Sequence, residues 1–369
     1  MPAFLWIRSL GQNLLRGSWL ALLALTILAC AVSSDLPLPE PSAAVQPTLP
    51  SEEWIEVFFT DPRSVNADTY RGGPDQRLAD AIQGARVSVD LAVLDLDLWS
   101  IRDALLAAHR RGIAVRLVVE SDYLDTHEIQ DLKDAGIPLL GDRHQGLMHN
   151  KFVIIDRSEV WTGSMNYTIR DGYRNNNNLL HIRSSRLAGN YTNEFEEMFV
   201  DDRFGKGSPP NTPDPQLDIN GTAIETYFAP EDAVAARLLE LISEARQSVY
   251  FLAFSFTADD LAHALRQRAA SGVLVRGVME TSQVASNTGG EFENFRAAGL
   301  DVHLDGNPAN MHHKILVIDG KIIVVGSYNF SRSADETNDE NLLVIHSEQV
   351  ADLFLAEFQR VYADALANE

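Results

Sequence analysis

Cysteine is nearly absent from this 369-residue chain: Cys30 stands alone, so no disulfide can form within it. Basic residues are scarce too. Against 52 Asp plus Glu there are 30 Lys plus Arg, a formal net charge of −22. Such a balance repels polyanions at long range and leaves no basic footprint for nucleic acid, although it does not exclude a local positive cleft. The N-terminal apolar run, Trp19–Ala29, is shorter than the ~20 residues that a membrane-spanning helix needs. Gly and Pro are at ordinary levels, and 45% of the residues are hydrophobic. The bulk is therefore globular, with material for one large core or two medium ones.

The apolar run is preceded by Arg8 and Arg16 and followed at once by Cys30, a pattern that predicts a secretory signal over residues 1–29. Ile27-Leu28-Ala29-Cys30 resembles the lipobox of bacterial lipoproteins, with Leu28 tolerated rather than favoured at its place. That resemblance implies lipidation of Cys30 and an extracytoplasmic, membrane-anchored protein, or a secreted one if the box is not used. Residues 30–51 then comprise the anchor cysteine and a Pro-rich, aperiodic spacer.

The remainder repeats itself. Ala85-Arg86-Val87-Ser88-Val89 returns as Ala245-Arg246-Gln247-Ser248-Val249, an offset of 160 that also relates Glu120 to Glu280. Past a small insertion the offset is 163, which takes His149 to His312, Lys151 to Lys314, Asp156 to Asp319 and Asn166 to Asn329. Two copies of one unit result, at 52–205 and 223–369, with a Gly/Pro/Asn-rich linker at 206–222. In the first copy the strand-like segments Val87–Val93 and Val115–Val119 alternate with the helix-like Ile101–Arg111 and Ile129–Ala135. The second copy repeats the order with Ser248–Phe254, Leu261–Ala270 and Leu274–Val278. Alternation of this kind predicts an α/β fold of two pseudo-symmetric α/β/α sandwich lobes, each with a parallel or mixed sheet.

The duplicated block is where the chemistry concentrates. The first copy reads His149-Asn150-Lys151 into an apolar run ending at Asp156, then Gly163-Ser164-Met165-Asn166. The second reads His312-His313-Lys314 to Asp319, then Gly326-Ser327-Tyr328-Asn329. In a strand, residues i and i+2 share a face, which would place each histidine beside its lysine. The ammonium can neutralise a phosphate while the imidazole attacks or transfers a proton.

H-x-K-x4-D followed by G-S-x-N, twice and in register, resembles the signature of the phospholipase D superfamily, over residues 52–369. The resemblance implies a phosphodiesterase that needs no metal or other cofactor, with the active site at the lobe interface and both histidines at one phosphodiester. One forms a phosphohistidine; the other protonates the leaving oxygen and then activates water or an alcohol. Lys151, Lys314, Asn166 and Asn329 would hold the non-bridging oxygens, and Ser164 and Ser327, with Gly163 and Gly326, would add hydroxyl or backbone N–H contacts. Asp156 and Asp319 read as mainly structural. With both motifs in one chain, a monomer suffices.

One break in the symmetry stands out. Asn338-Asp339-Glu340-Asn341 matches the N-x-E-N element of relatives, whose acid accepts a hydrogen bond from a catalytic histidine, but the counterpart of Glu340 is Asn177. If each element serves its own copy, Glu340 supports His312 and Asn177 supports His149. A carboxylate stabilises an imidazolium better than an amide does. This predicts His312 as nucleophile and His149 as acid, although relatives commonly place the nucleophile in the first copy. His144 and His313 read as cleft-wall or supporting residues; His109, His127, His263 and His303 read as surface or helix residues.

The segments Ser121–Leu147 and Thr281–Met311 lead into the histidines, and their acids, Asp122, Asp125, Glu128, Asp131 and Asp134 in the first and Glu291, Glu293, Asp301 and Asp305 in the second, would line a rim hostile to a long polyanion. With the lipid anchor, this favours phospholipid head groups as substrate. An extracytoplasmic endonuclease and a phosphatidyl transferase are the alternatives.

Overall fold

The structure, a computed structural model, describes residues 54–369; the expected signal segment, Cys30 and the Pro-rich spacer lie outside the described residues. No helix among the described residues is long and apolar enough to cross a membrane.

The first lobe runs β1 (Ile55–Phe59), α1 (Pro74–Gly84), β2 (Ser88–Val93), α2 (Trp99–Arg110), β3 (Ala114–Val119), α3 (His127–Asp134), β4 (Leu139–Gly141), β5 (Lys151–Ile155), β6 (Glu159–Gly163), α4 (Ile169–Tyr173), β7 (Asn178–Arg183) and α5 (Ser185–Phe199). The second runs β8 (Gln216–Ile219), β9 (Thr222–Ala229), α6 (Val234–Glu244), β10 (Ser248–Ala253), α7 (Asp259–Ala270), β11 (Leu274–Met279), α8 (Thr281–Ser286), α9 (Phe292–Ala297), β12 (Asp301–Leu304), β13 (Lys314–Ile318), β14 (Ile322–Gly326), α10 (Arg332–Glu336), β15 (Glu340–His346) and α11 (Glu348–Leu366). The sheet orders are β1-β7-β6-β5-β2-β3-β4 and β12-β11-β10-β13-β14-β15-β9-β8. Both sheets are mixed: β2 with β3 and β10 with β11 are parallel, while β5 and β13 join them antiparallel. The strand β8 falls inside the stretch read as a linker and pairs with β9, so the second sheet has one strand more.

Strand parity shows how the lobes join. Val153 and Ile155 of β5 pack into the first lobe's own core. Leu316 and Ile318 of β13 do the same in the second. The alternate residues, Phe152 and Ile154 of β5 with Ile315 and Val317 of β13, enter a third core shared by both lobes, where Tyr191 and Phe195 of α5 and Phe354 and Phe358 of α11 also pack. A strand buried on both faces has no polar side to show, which is why both motif runs are apolar throughout.

Each motif run ends on an aspartate in the left-handed region, Asp156 and Asp319 both at φ 53. The Asp156 carboxylate accepts from the backbone N–H of Val87 at 2.7 Å and Ser88 at 3.1 Å, tying the end of β5 to the start of β2. Asp319 does the same for Gln247 at 2.7 Å and Ser248 at 2.9 Å. Asp156→Ala should therefore cost about 2 kcal/mol of stability in urea unfolding, as expected for hydrogen bonds to a charged acceptor, with turnover by the folded fraction little changed. Full stability with lost turnover would place this aspartate at the chemistry instead.

Candidate active site

The site forms where the two motif blocks cross. Each strand begins at its lysine rather than its histidine, so the shared strand face expected for His149 and Lys151, and for His312 and Lys314, is not what places the imidazoles. They sit in short parallel bridges to the opposite lobe. The His149 N–H donates to the Asp339 carbonyl at 2.9 Å, and the Asp339 N–H donates back to Leu147 at 2.9 Å. The pseudo-symmetric pair is His312 N–H to Asn176 and Asn176 N–H to Asn310, both 2.9 Å. Each lysine then turns back on its own histidine: Lys151 Nζ donates to the His149 carbonyl at 2.7 Å, and Lys314 Nζ to the His312 carbonyl at 2.9 Å.

This crossing overturns the expected pairing of histidines with their acceptors. His149 Nδ1 lies 2.7 Å from Glu340 Oε2, and His312 Nδ1 lies 2.9 Å from Asn177 Oδ1. Each histidine is completed by the other lobe, because the N-x-E-N segment bridges to the opposite histidine segment. The offset of 163 relates equivalent residues but says nothing about which copy faces which. The premise that made His312 the nucleophile therefore applies to His149. In both rings the Nδ1 contact leaves Nε2 without a protein partner among the described residues.

The serines and glycines also differ from their expected role. Ser327 Oγ donates to Glu340 Oε2 at 2.6 Å, and Ser164 Oγ to Asn177 Oδ1 at 2.9 Å. Their backbone N–H groups are used as well, Ser164 on the Asn178 carbonyl at 3.2 Å and Ser327 on Asn341 at 2.9 Å. Both serines are fully buried. They fix the acceptors of the histidines and have no donor left for substrate. Gly163 and Gly326 are required because a Cβ would collide with the carbonyls of Asn178 and Asn341. By contrast, Asn166 and Asn329 keep buried Oδ1 atoms with no partner among the described residues, so both amides remain uncommitted at the site.

Four basic groups are buried together here. Burial pulls the Lys151 ammonium down to about 8, partly offset by Glu340 and Asp171. Lys314 falls well below the lysine range, by burial and then by Lys151. His149 is lowered by burial against the opposing pull of Glu340. His312 drops well below the histidine range through burial, Lys314, Lys151 and His149. Each ammonium has a single acceptor among the described residues, leaving donors and charge for an anion.

Three residues at this site had not been expected there. Asp171 Oδ2 lies 3.5 Å from His312 Nδ1. The rings of Phe254 and His312 meet in a T-shaped contact, 4.6 Å between centroids, with Lys314 Nζ 4.7 Å from the Phe254 ring centre. Asp95, pushed up to about 6 by burial and Asp97, has a buried Oδ1 without a partner among the described residues and acts on Lys151. Their counterparts in the other copy are Ala334, Leu94 and Ser255, so broken symmetry was the signal available.

Elsewhere, five of the nine acids expected at the rim are engaged internally. Glu128 and Asp131 meet Arg102, Glu291 meets Arg266, Asp301 meets Arg276, and Asp305 accepts from the Thr281 N–H. His303 is buried on β12 between Asp301 and Glu369 rather than on the surface or a helix. His313 lies buried between Asn178 and Glu357, and His144 stacks on Phe204. Among the described residues, Glu194, Glu197 and Glu231 bring carboxylate oxygens within 4.8 Å of one another and could hold a cation, outside the motif residues. Burial pushes Glu231 up to about 8, which favours protons shared within that group.

Paired His/Lys blocks across a pseudo-twofold interface, with acceptors exchanged between lobes, define a duplicated α/β site for an anionic group. The chain belongs to the phospholipase D superfamily of phosphodiesterases: the domain described as "Cardiolipin synthase, PLD-like domain" matches twice, at 78–199 and 238–362. Human mitochondrial cardiolipin hydrolase is 33% identical over 131 residues, 36% of this chain and 52% of that protein, so the match spans about half of the relative's length. A phospholipase D of Rickettsia bellii is 28% identical over 151 residues, 39% of this chain and 75% of the relative. The crystal structure of phosphatidylserine synthase from Haemophilus influenzae Rd KW20 shares the fold, with TM-score 0.63 at 14% identity, over 84% of this chain and 86% of that one.

The lowered Lys151 has a measurable consequence. Affinity for sulfate, whose own charge is constant above about pH 3, should weaken as pH rises through about 8, where Lys151 loses its proton. Calorimetric titration between about pH 6 and 10 reads this directly. Constant affinity across that range would mean that the ammonium keeps its proton.

Proposed function

We propose that the protein hydrolyses the head-group phosphodiester of phospholipids by double displacement, with His149 as nucleophile and His312 as general acid and then base. The observation that carries the assignment is the 2.7 Å contact between His149 Nδ1 and Glu340. A nucleophile that becomes a cationic phosphohistidine gains from an adjacent carboxylate, whereas an acid must release its proton and is better served by the neutral Asn177. Nε2 of His149 attacks phosphorus, and the bond to the leaving alcohol breaks as His312 Nε2 gives that oxygen its proton. His312 then takes a proton from water as the water oxygen attacks phosphorus, releasing the phosphate monoester and His149. Lys151 and Lys314, with the uncommitted amides of Asn166 and Asn329, stabilise the charge on the non-bridging oxygens. The incoming anion also raises the proton affinity of His312, offsetting the burial that holds it neutral in the free protein. An alcohol in place of water would give phosphatidyl transfer.

On a substrate with a good leaving group, protonation matters little, which separates the two roles. His312→Ala should still give a burst of leaving group and a trappable phosphohistidine, and His149→Ala neither. Wild-type turnover should survive EDTA. The reverse burst pattern would return the nucleophile's role to His312, and loss in EDTA rescued by a divalent ion would overturn the mechanism.

The phospholipid reading rests on the lining of the site. Asp95 acts on Lys151 with Asp97 close behind it, Phe254 supplies an apolar ring at His312, and the chain carries −22 overall. Such a lining accepts one phosphodiester next to apolar groups and repels the neighbouring phosphates of a nucleic acid. A lipid anchor at Cys30 would hold the site at a bilayer, outside the cytoplasm. Phosphatidylcholine, cardiolipin, single-stranded DNA and duplex DNA assayed side by side should rank the lipids first. Asp95→Asn should narrow the gap by about threefold or more, through loss of one repulsive charge. Preference for DNA in the wild type would establish the endonuclease reading.

A further inference from the structure

The two copies differ at two places that bear on the same chemistry. At one, the second lobe has Glu340 where the first has Asn177; at the other, the first has Asp171 where the second has Ala334. Each lobe has thus lost an acid that the other keeps, at different positions. The structure brings both differences to the site: Glu340 touches His149, and Asp171 Oδ2 lies 3.5 Å from His312 Nδ1.

We propose that Asp171 is the positioning carboxylate of His312, acting across Asn177 by charge rather than by a direct hydrogen bond, where Glu340 acts on His149 by contact. This rests on the assignment of His312 as the general acid. The geometry is built for it. Asp171 is 3% exposed, and its Oδ2 is pinned by the Asn166 N–H at 2.7 Å. Its Oδ1 accepts from Asn175 Nδ2, and its carbonyl accepts from Asn177 Nδ2 at 3.1 Å, which orients the amide whose oxygen meets His312. One residue thereby places the ring acceptor and a substrate-facing asparagine, Asn166, together.

The other charged or titratable groups facing His312 are Lys314, Lys151, His149 and His313, all of which oppose its protonation, and the Phe254 ring lies beside it. Asp171 is the carboxylate set against them at the shortest distance. Close enough to attract a proton but too far to hold it by contact, it leaves His312 able to release that proton to a leaving oxygen. Each histidine then has one carboxylate, Glu340 by contact and Asp171 at 3.5 Å, with unequal grip.

The test compares Asp171→Asn with wild type on two phosphodiesters, a phospholipid and a p-nitrophenyl ester, across pH. Expected is an activity loss on the order of tenfold on the phospholipid, whose alkoxide must be protonated, and under about threefold on the p-nitrophenyl ester. The limb that requires protonated His312 should move to lower pH. Asn177→Glu in the Asp171→Asn background, restoring a carboxylate at this histidine, should recover most of the loss. Equal losses on both substrates with an unmoved limb would reduce Asp171 to a structural residue. If the wild type cleaves neither ester, the phosphodiesterase assignment is what fails, and Asp171 is still read by nitrogen-15 titration of His312: Asp171→Asn should lower its proton affinity at least about threefold, and an unchanged value overturns the proposal. Should Asp171→Asn not fold, Asp171→Ala, after the Ala334 of the other copy, takes its place in the same titration: the same drop in His312 proton affinity is expected, and an unchanged value overturns the proposal.

Discussion

Everything at this site depends on a backbone exchange. The histidine segment of each lobe pairs in parallel with the acceptor segment of the other, through Met148 with Asp339 and Asn176 with Met311. Backbone bridges hold position far more tightly than two surfaces pressed together, because each fixes both distance and direction. They place an imidazole from one copy against a side chain from the other with no freedom to slide. Neither lobe alone has a complete histidine. The shared core beneath, with Phe152 and Ile315 facing α5 and α11, keeps the lobes from separating.

That rigidity permits an arrangement which would otherwise be costly: two ammonium groups and two imidazoles buried within Coulomb range of one another. Burying a charge without a partner is among the largest penalties a fold can carry. Here it is met partly by Glu340 and Asp171 and partly by carbonyls of the histidines themselves. The residue is a site short of negative charge, with lysines that hold their protons weakly until an anion arrives. The same shortage of negative charge makes a phosphodiester a stabilising occupant.

Much of this could be read from the chain. The strand and helix alternation, the duplication and the motif blocks appear in the amino-acid order because each reflects a local constraint: period, burial on both faces of β5 and β13, and turn chemistry at Asp156. What could not be read was which copy faces which. A repeat offset is blind to the exchange that gives Glu340 to His149, and so the acceptors assigned from neighbourhood in sequence came out exchanged. Ser164 and Ser327 were misplaced for a similar reason. A hydroxyl in a motif suits a substrate contact, and only the short bonds to Asn177 and Glu340 show that it is already engaged. The rim acids were counted as charge without knowing that Arg102, Arg266 and Arg276 were waiting for them.

Duplication within one chain also explains why the halves are unequal. In a symmetric pair of identical units, any change made to favour a nucleophile is imposed on the acid as well, although the two need opposite things from their surroundings. One must be stabilised as a cation; the other must let its proton go. Fusing the copies removes that compromise, since each position can then change alone. Glu340 against Asn177, and Asp171 against Ala334, are the differences such a separation would produce. An acceptor in contact with His149 and a carboxylate 3.5 Å from His312, just beyond an ordinary hydrogen bond, are two settings of one electrostatic control.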